Sequence, residues 1–149
     1  VKIRATLLFF LSAASIAHAR LGETPAQVAA RFGTCIDSTI IKNGADAGLD
    51  LRQFNKQGFT ILVWFEGVSV AEDYQTCRLT ENQIETLLSD NCGGYHWKKE
   101  PSLTGKLWVR TDGATARLSG DSEIEFKSKG FIKKQSEFKQ AQKSSVDGF

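Results

Sequence analysis

The chain contains no Met, only two His and three Cys, and it begins on Val. Each scarcity closes off a class of chemistry. His18 falls in a segment expected to be removed, which leaves His96 as the one imidazole. One His with scattered Cys does not assemble a zinc site. Three cysteines, Cys35, Cys77 and Cys92, permit three single bridges and always leave one thiol over. Cys77 and Cys92 flank one predicted helix and are the favoured pair, with buried, inert thiols as the alternative. No G-x-S-x-G, P-loop or dinucleotide-binding pattern occurs. No cofactor and no metal are expected, and Gly93-Gly94 reads as a helix stop. A non-standard start codon decoded literally would explain the missing Met, as would truncation.

Long hydrophobic runs are scarce as well. The most prominent one, Ala5 to Ile16, follows the basic Lys2 and Arg4 and precedes Ala17-His18-Ala19. This three-part pattern predicts a signal peptide over residues 1–19 with cleavage before Arg20. The run is too short to cross a bilayer as a helix. The expected product is exported, periplasmic or secreted, has no transmembrane segment after cleavage, and forms a single α+β domain over residues 20–149. No Cys follows the cleavage site, so no lipid anchor is expected there.

Excess charge is missing too. From Arg20 onward the chain carries 17 basic and 17 acidic residues, which gives no basis for nucleic-acid binding. The distribution is uneven. Beyond Phe126 six Lys stand against Glu137 and Asp147, whereas Arg20 to Glu125 holds 11 basic and 15 acidic residues. Such a basic end forms the solvated face of a terminal helix, or it touches an anionic surface such as lipid or cell-wall polysaccharide, or an acidic envelope protein.

What the chain does have centres on Gln57 to Arg78. Phe59, Ile61, Val63 and Phe65 alternate with Thr60, Leu62 and Trp64, and both sets are largely apolar. That pattern predicts a central strand covered on part of each side. Glu66-Gly67 turns it, and Val68 to Cys77 returns with Val68, Val70 and Tyr74 on one face. Thr24-Pro25-Ala26-Gln27 and Thr80-Glu81-Asn82-Gln83 are capping boxes that open two helices. Gly33 ends the first helix and Gly93-Gly94 the second. Thr34 to Leu49 reads as a surface loop, and Leu49 to Asn55 as an edge strand. Strands are also predicted over 106–111, 114–118 and 123–127, with a C-terminal helix over about 129–142, where Phe131, Gln135 and Phe138 share a stripe. The expected fold is an antiparallel α+β sheet of about five to six strands, with two to three short helices packed on one face. The two Thr-x-x-Gln helices, each followed by strands, hint at a duplicated unit.

The segments LGETPAQVAARFG, GFTILVWFEGVSV and LTENQIETLLSDNCGGYHWK resemble a family of uncharacterised secreted bacterial proteins, with a fainter likeness through WVRTDG. More remotely, GETPAQVAARFG is similar to the Gly-x-Thr-x-x-Gln-Val helix of the small β-barrel-assembly lipoproteins and β-lactamase-inhibitor-like domains. That likeness implies a protein-binding α+β module. Two departures stand out. Cys35 occupies the place of the usual Pro, and a lipidation Cys is absent.

Three features carry candidate chemistry. Cys92 and His96 lie four residues apart, a spacing from which a thiolate and imidazole could form a small hydrolase or transferase site; the favoured reading is nonetheless non-catalytic. Glu72-Asp73 and Asp121, Glu123 and Glu125 supply carboxylates, which on alternating strand positions read as solvated faces. Tyr95, His96, Trp97, Lys98 and Lys99 form an aromatic and basic run suited to a protein partner or a sugar-like ligand. Together these predict a non-catalytic binding module of the cell envelope or exterior. The second alternative is a structural envelope component attached through its Lys-rich C-terminus.

Overall fold

The computed structural model describes residues 20–146, so the expected signal peptide over 1–19 lies outside the described residues. The elements run α1 (Pro25–Phe32), β1 (Asp37–Ile40), β2 (Asp50–Lys56), β3 (Phe59–Glu66), β4 (Val68–Gln75), α2 (Glu81–Asp90), β5 (Trp97–Glu100), β6 (Lys106–Arg110), β7 (Thr115–Ser119), β8 (Glu123–Lys127) and α3 (Lys129–Val146). The strands form one antiparallel sheet in the order β1-β2-β3-β4-β8-β7-β6-β5. The architecture is α+β, as expected, but with eight strands rather than five or six. The two additions are the edges, β1 and β5, each only four residues long. All four residues of β1 are exposed, so no alternation marked it, and the loop reading of Thr34 to Leu49 holds on either side of Asp37–Ile40 but not for that stretch. It follows that β2 is an interior strand and not an edge.

The order describes two four-strand meanders joined along β4 and β8, each preceded by a helix. Both helices open on the expected capping box: Gln27 N–H and Gln83 N–H donate to Thr24 Oγ1 and Thr80 Oγ1, and each Gln side chain accepts from its N-cap N–H. The likeness extends to the helix ends. Lys56, the last residue of β2, donates from Nζ to the carbonyl of Arg31 in α1. Arg110, the last residue of β6, donates from Nη1 to the carbonyl of Asn91 at 2.5 Å, at the end of α2. A cation set against the carbonyl end of a helix satisfies an orphan acceptor and opposes the helix dipole. Cap, four-strand meander and C-terminal cation thus recur in the same order, related by a two-fold that the β4–β8 register places at the pair Asp73 and Glu125.

Why α1 and α2 share a face follows from strand alternation. Ile61 and Val63 on β3 pair with Tyr74 and Glu72 on β4, which pair in turn with Ile124 and Phe126 on β8. All of these but Glu72 join Phe54, Ala116 and Leu118 in the main core, under Val28 of α1 and Ile84 of α2. Their ladder neighbours point the other way. There Leu49 and Ala71, flanked by Trp64 and Val70, receive Phe131 of α3. The third helix therefore lies on the opposite face, which corrects the expectation of all helices on one side. Lys134 to Glu66 (2.9 Å) and Gln135 Nε2 to Asp46 Oδ1 (2.9 Å) tie it there. A bulge between Trp64 and Phe65 shifts the phase of the hairpin. Consequently Ser69 is buried, Val68 is exposed and Val70 faces α3, not the inward set of Val68, Val70 and Tyr74 that simple alternation predicts.

Two turns need glycine. Gln57 and Gly58 have φ of 51° and 82°, the doubly left-handed geometry of a tight hairpin whose twist suits its strands. At Gly105, φ +81°, a Cβ would stand 2.1 Å from the carbonyl oxygen of Leu118. Only glycine lets the chain pass that strand so closely.

On the α3 side of β4, Asp73 is buried, accepts from Gln75 Nε2 at 2.6 Å on one oxygen, and has no hydrogen bond to the other among the described residues. Burial pushes its carboxyl up to about 6, the Gln75 bond opposes this, Glu123 and Glu125 add to the rise, and Lys127 opposes it. Because the folded protein holds this proton more tightly than the unfolded chain, the contribution to stability is full below about pH 4 and is lost as pH rises through about 6. A displacement of this size corresponds to at most roughly 3 kcal/mol, which solvent screening reduces to about 1–2 kcal/mol. Asp73→Asn is expected to be the more stable protein by that amount at pH 7.5, with the gain shrinking toward pH 4.5. Urea unfolding across that range checks it, and a gain independent of pH would assign the effect to packing instead.

Candidate binding cleft between the two capped helices

A cleft of about 410 Å³ lies between α1, α2 and the β2–β3 turn. Its floor is apolar and aromatic: Phe32 from α1, Phe59 and Ile61 from β3, Tyr74 from β4 and Leu87 from α2. The rings of Phe32 and Phe59 stand edge-on to Tyr74 at centroid distances of 6.0 and 6.3 Å. One wall is polar and comes from α2, through Asn82, Gln83, Thr86 and Asp90, while Lys56 and Gln57 form the opposite rim.

A buried polar network holds this floor. Arg31 reaches from α1 to the sheet, placing Nη2 2.7 Å from Glu72 Oε1 and 2.7 Å from Glu23 Oε2, and Nη1 3.1 Å from Tyr74 Oη. Tyr74 donates from its hydroxyl to Glu72 Oε2 at 2.6 Å. Glu72 is 0% exposed, in the middle of the sheet. The guanidinium also lies 3.9 Å over the Phe32 ring. Burial opposes the charge on Arg31, yet Glu72, Tyr74 and Glu23 outweigh it and hold its pKa above the usual guanidinium value. Burial and the Glu72 carboxylate push the Tyr74 phenol well above its ordinary value, so it stays protonated and donates. Burial also raises Glu23, against the opposing pull of Arg31. An eight-residue helix is marginal by itself. Here a single arginine fixes α1 to β4 and sets the position of Phe32 above the hairpin.

The run from Tyr95 to Lys99 is split among several environments. Trp97 turns inward, donates from Nε1 to the carbonyl of Leu88 at 2.8 Å and packs on Phe126 at a 5.8 Å ring distance. Tyr95, 49% exposed, lies beside the Arg110 guanidinium at 5.4 Å. His96 is exposed. Lys98 pairs with Glu100 at 2.8 Å, and Lys99 is exposed on the edge strand β5. Alternation along β5 sets Lys98 on the face opposite Trp97 and Lys99, so these five side chains do not gather on one surface. Cys35, Cys77 and Cys92 are all free thiols, and the structure does not join Cys77 to Cys92. Cys92 is half-buried at the end of α2, and no hydrogen bond links its Sγ to the His96 imidazole among the described residues. The described residues contain no cluster of three or more His, Cys, Asp or Glu able to hold a metal. No described helix is long and apolar enough to cross a membrane.

The cleft was not singled out in the sequence. Its signal was present in part, because the second capping box places Gln83 at its border, but the partnership of Arg31 with Glu72 spans 41 positions. Comparison of the chain with known protein families, curated proteins and solved structures finds no match.

Proposed function

We propose that this protein is a non-catalytic binding module of the cell envelope or exterior, and that the cleft between α1 and α2 receives the apolar anchor side chain of a polypeptide partner. The single observation that carries this reading is the make-up of the cleft: an aromatic floor beside a wall of amide and hydroxyl groups. Clefts of roughly 300–1,000 Å³ with apolar linings and few polar groups are the usual form of ligand sites. Here the floor suits one large aliphatic or aromatic side chain, and Asn82 and Thr86 on the exposed side of α2 suit the peptide groups flanking it. The rigid Arg31–Glu72–Tyr74 network keeps the floor preorganised, which lowers the entropic cost of binding. The placement in the envelope or exterior rests on the signal-peptide pattern of residues 1–19, and the likeness to protein-binding α+β modules points the same way.

The test uses a short-peptide library panned against the purified protein, with NMR shift mapping of the selected peptides. Selected peptides are expected to share one large apolar residue and to shift resonances of Phe32, Phe59, Tyr74 and Leu87. Thr86→Arg, which fills the exposed wall without touching the core, should weaken them at least tenfold, about 1.4 kcal/mol. Shifts centred on Tyr95 to Lys99 instead, or no selected peptide at all, would overturn the assignment of the cleft.

A further inference from the structure

α3 presents a basic stripe whose position is fixed by the fold. At about 100° per residue, Lys129, Lys133, Lys139 and Lys143 fall within roughly a third of the helix circumference, and Phe131, Gln135 and Phe138 fall on the opposite side. All four lysines are exposed; of the positions between them on this stripe, Ser136 and Gln140 are neutral and exposed and Ile132 is half-buried. Only one of the four has an ion-pair partner among the described residues, Lys133 with Glu137 at 3.7 Å. The inward side of the helix is occupied, since Phe131 fills the pocket of Leu49 and Ala71. The helix therefore cannot bury an apolar face in another body without leaving the sheet.

α3 lies on the sheet face opposite α1 and α2, and the charges of the helices follow that division. α2 carries Glu81, Glu85 and Asp90 and no basic residue. The one arginine of α1 is buried against Glu72 and Glu23. One side of the molecule thus offers a straight row of ammonium groups about 21 Å long at 1.5 Å per residue, and the other offers the cleft beside an acidic helix.

We propose that the α3 stripe docks this protein flat on an anionic phospholipid surface, with the cleft facing away from it. The shape of the stripe favours a bilayer over a charged polymer. It lies along one straight helix without a groove to enclose a chain, and it uses lysines, which act as point charges, rather than arginines that grip individual anionic groups bidentately. Each lysine near such a surface contributes about fivefold in partitioning, and the effect falls off within a Debye length.

The experiment is co-sedimentation of the purified chain with vesicles of mixed phosphatidylglycerol and phosphatidylcholine, against pure phosphatidylcholine. Binding is expected only to the anionic vesicles and is expected to be lost in about 0.5 M salt, where screening is nearly complete. The variant K129Q/K133Q/K139Q/K143Q changes only exposed side chains, and circular dichroism confirms its fold. It should bind more than a hundredfold more weakly. A spin label at Ser136 should become immobilised on the vesicles while one at Thr86 does not. Equal binding of the variant and the natural chain, absence of binding to anionic vesicles at low salt, or retention on dextran sulfate without vesicle binding would each overturn the proposal. None of these readouts depends on whether the cleft binds a peptide.

Discussion

Glu72→Ala is expected to cost roughly 3–5 kcal/mol, because it leaves the Arg31 guanidinium buried without its principal partner. That is a large part of the roughly 5–15 kcal/mol that stabilises a domain of this size. Two side chains share the loss. Arg31 Nη2 would lose its 2.7 Å contact with Glu72 Oε1, and Tyr74 would lose the acceptor 2.6 Å from its hydroxyl. The Glu23 carboxylate, only 15% exposed, remains within reach of Nη2 and limits the damage. The reciprocal change, Arg31→Met, strands the Glu72 carboxylate with only the Tyr74 hydroxyl and is expected to cost a similar amount. The double variant Arg31→Met/Glu72→Gln removes both charges, keeps an acceptor for Tyr74 and replaces the guanidinium stem by an apolar chain. It should be markedly more stable than the two single losses would sum to. Urea unfolding of the double variant against Arg31→Met and a Glu72→Gln single variant, which closes the cycle, measures this coupling. Strict additivity would mean that the two groups do not act as a pair.

The same network shows where sequence reading reaches and where it stops. Thr24 with Gln27 and Thr80 with Gln83 announced both helix starts, because a capping box is completed within four residues and needs nothing distant. Phe59 to Phe65 announced the central strand for the same reason, its alternation being local. The apolar Trp64 on the second face of β3 even signalled that both sides of the sheet would be covered, and α3 supplies that cover through Phe131. What was not legible is pairwise and remote. Arg31 sits in a short helix as any solvated cation would, and Glu72 stands next to Asp73 as an ordinary strand carboxylate. Only the folded sheet brings them together. β1 escaped notice because a four-residue strand with exposed side chains has no burial pattern to display, and β5 because only Trp97 and Glu100 at its two ends are half-buried; their ladder bonds are imposed by β2 and β6. The bulge after Trp64 likewise has no mark in the residue types, yet it decides that Ser69, and not Val68, faces inward.

Phe126→Ala should be the most damaging of the aromatic truncations, at about 3–5 kcal/mol, because of where the two halves meet. Phe126 is on β8, in register with Glu72 of β4 on one side and Ala116 of β7 on the other. It is fully buried, and its ring touches Tyr74 from the first meander and Trp97 from the second, both at 5.8 Å. The backbone ladder between β4 and β8 covers five residue pairs. The side chain that fills the core above that joint is therefore a main reason why the halves fold as one body. Its register neighbour on β7, Ala116, is too small to close over the cavity, so the loss lies toward the upper end of the range. Phe126→Leu, which keeps most of the volume, should lose less than half as much. Urea unfolding followed in parallel by Trp fluorescence and far-UV circular dichroism provides the test. The expected result is a lowered midpoint with an unchanged slope and coincident curves. Two separate transitions in the natural protein would show that the meanders unfold independently, and an unaltered midpoint in Phe126→Ala would show that the backbone ladder alone holds them together.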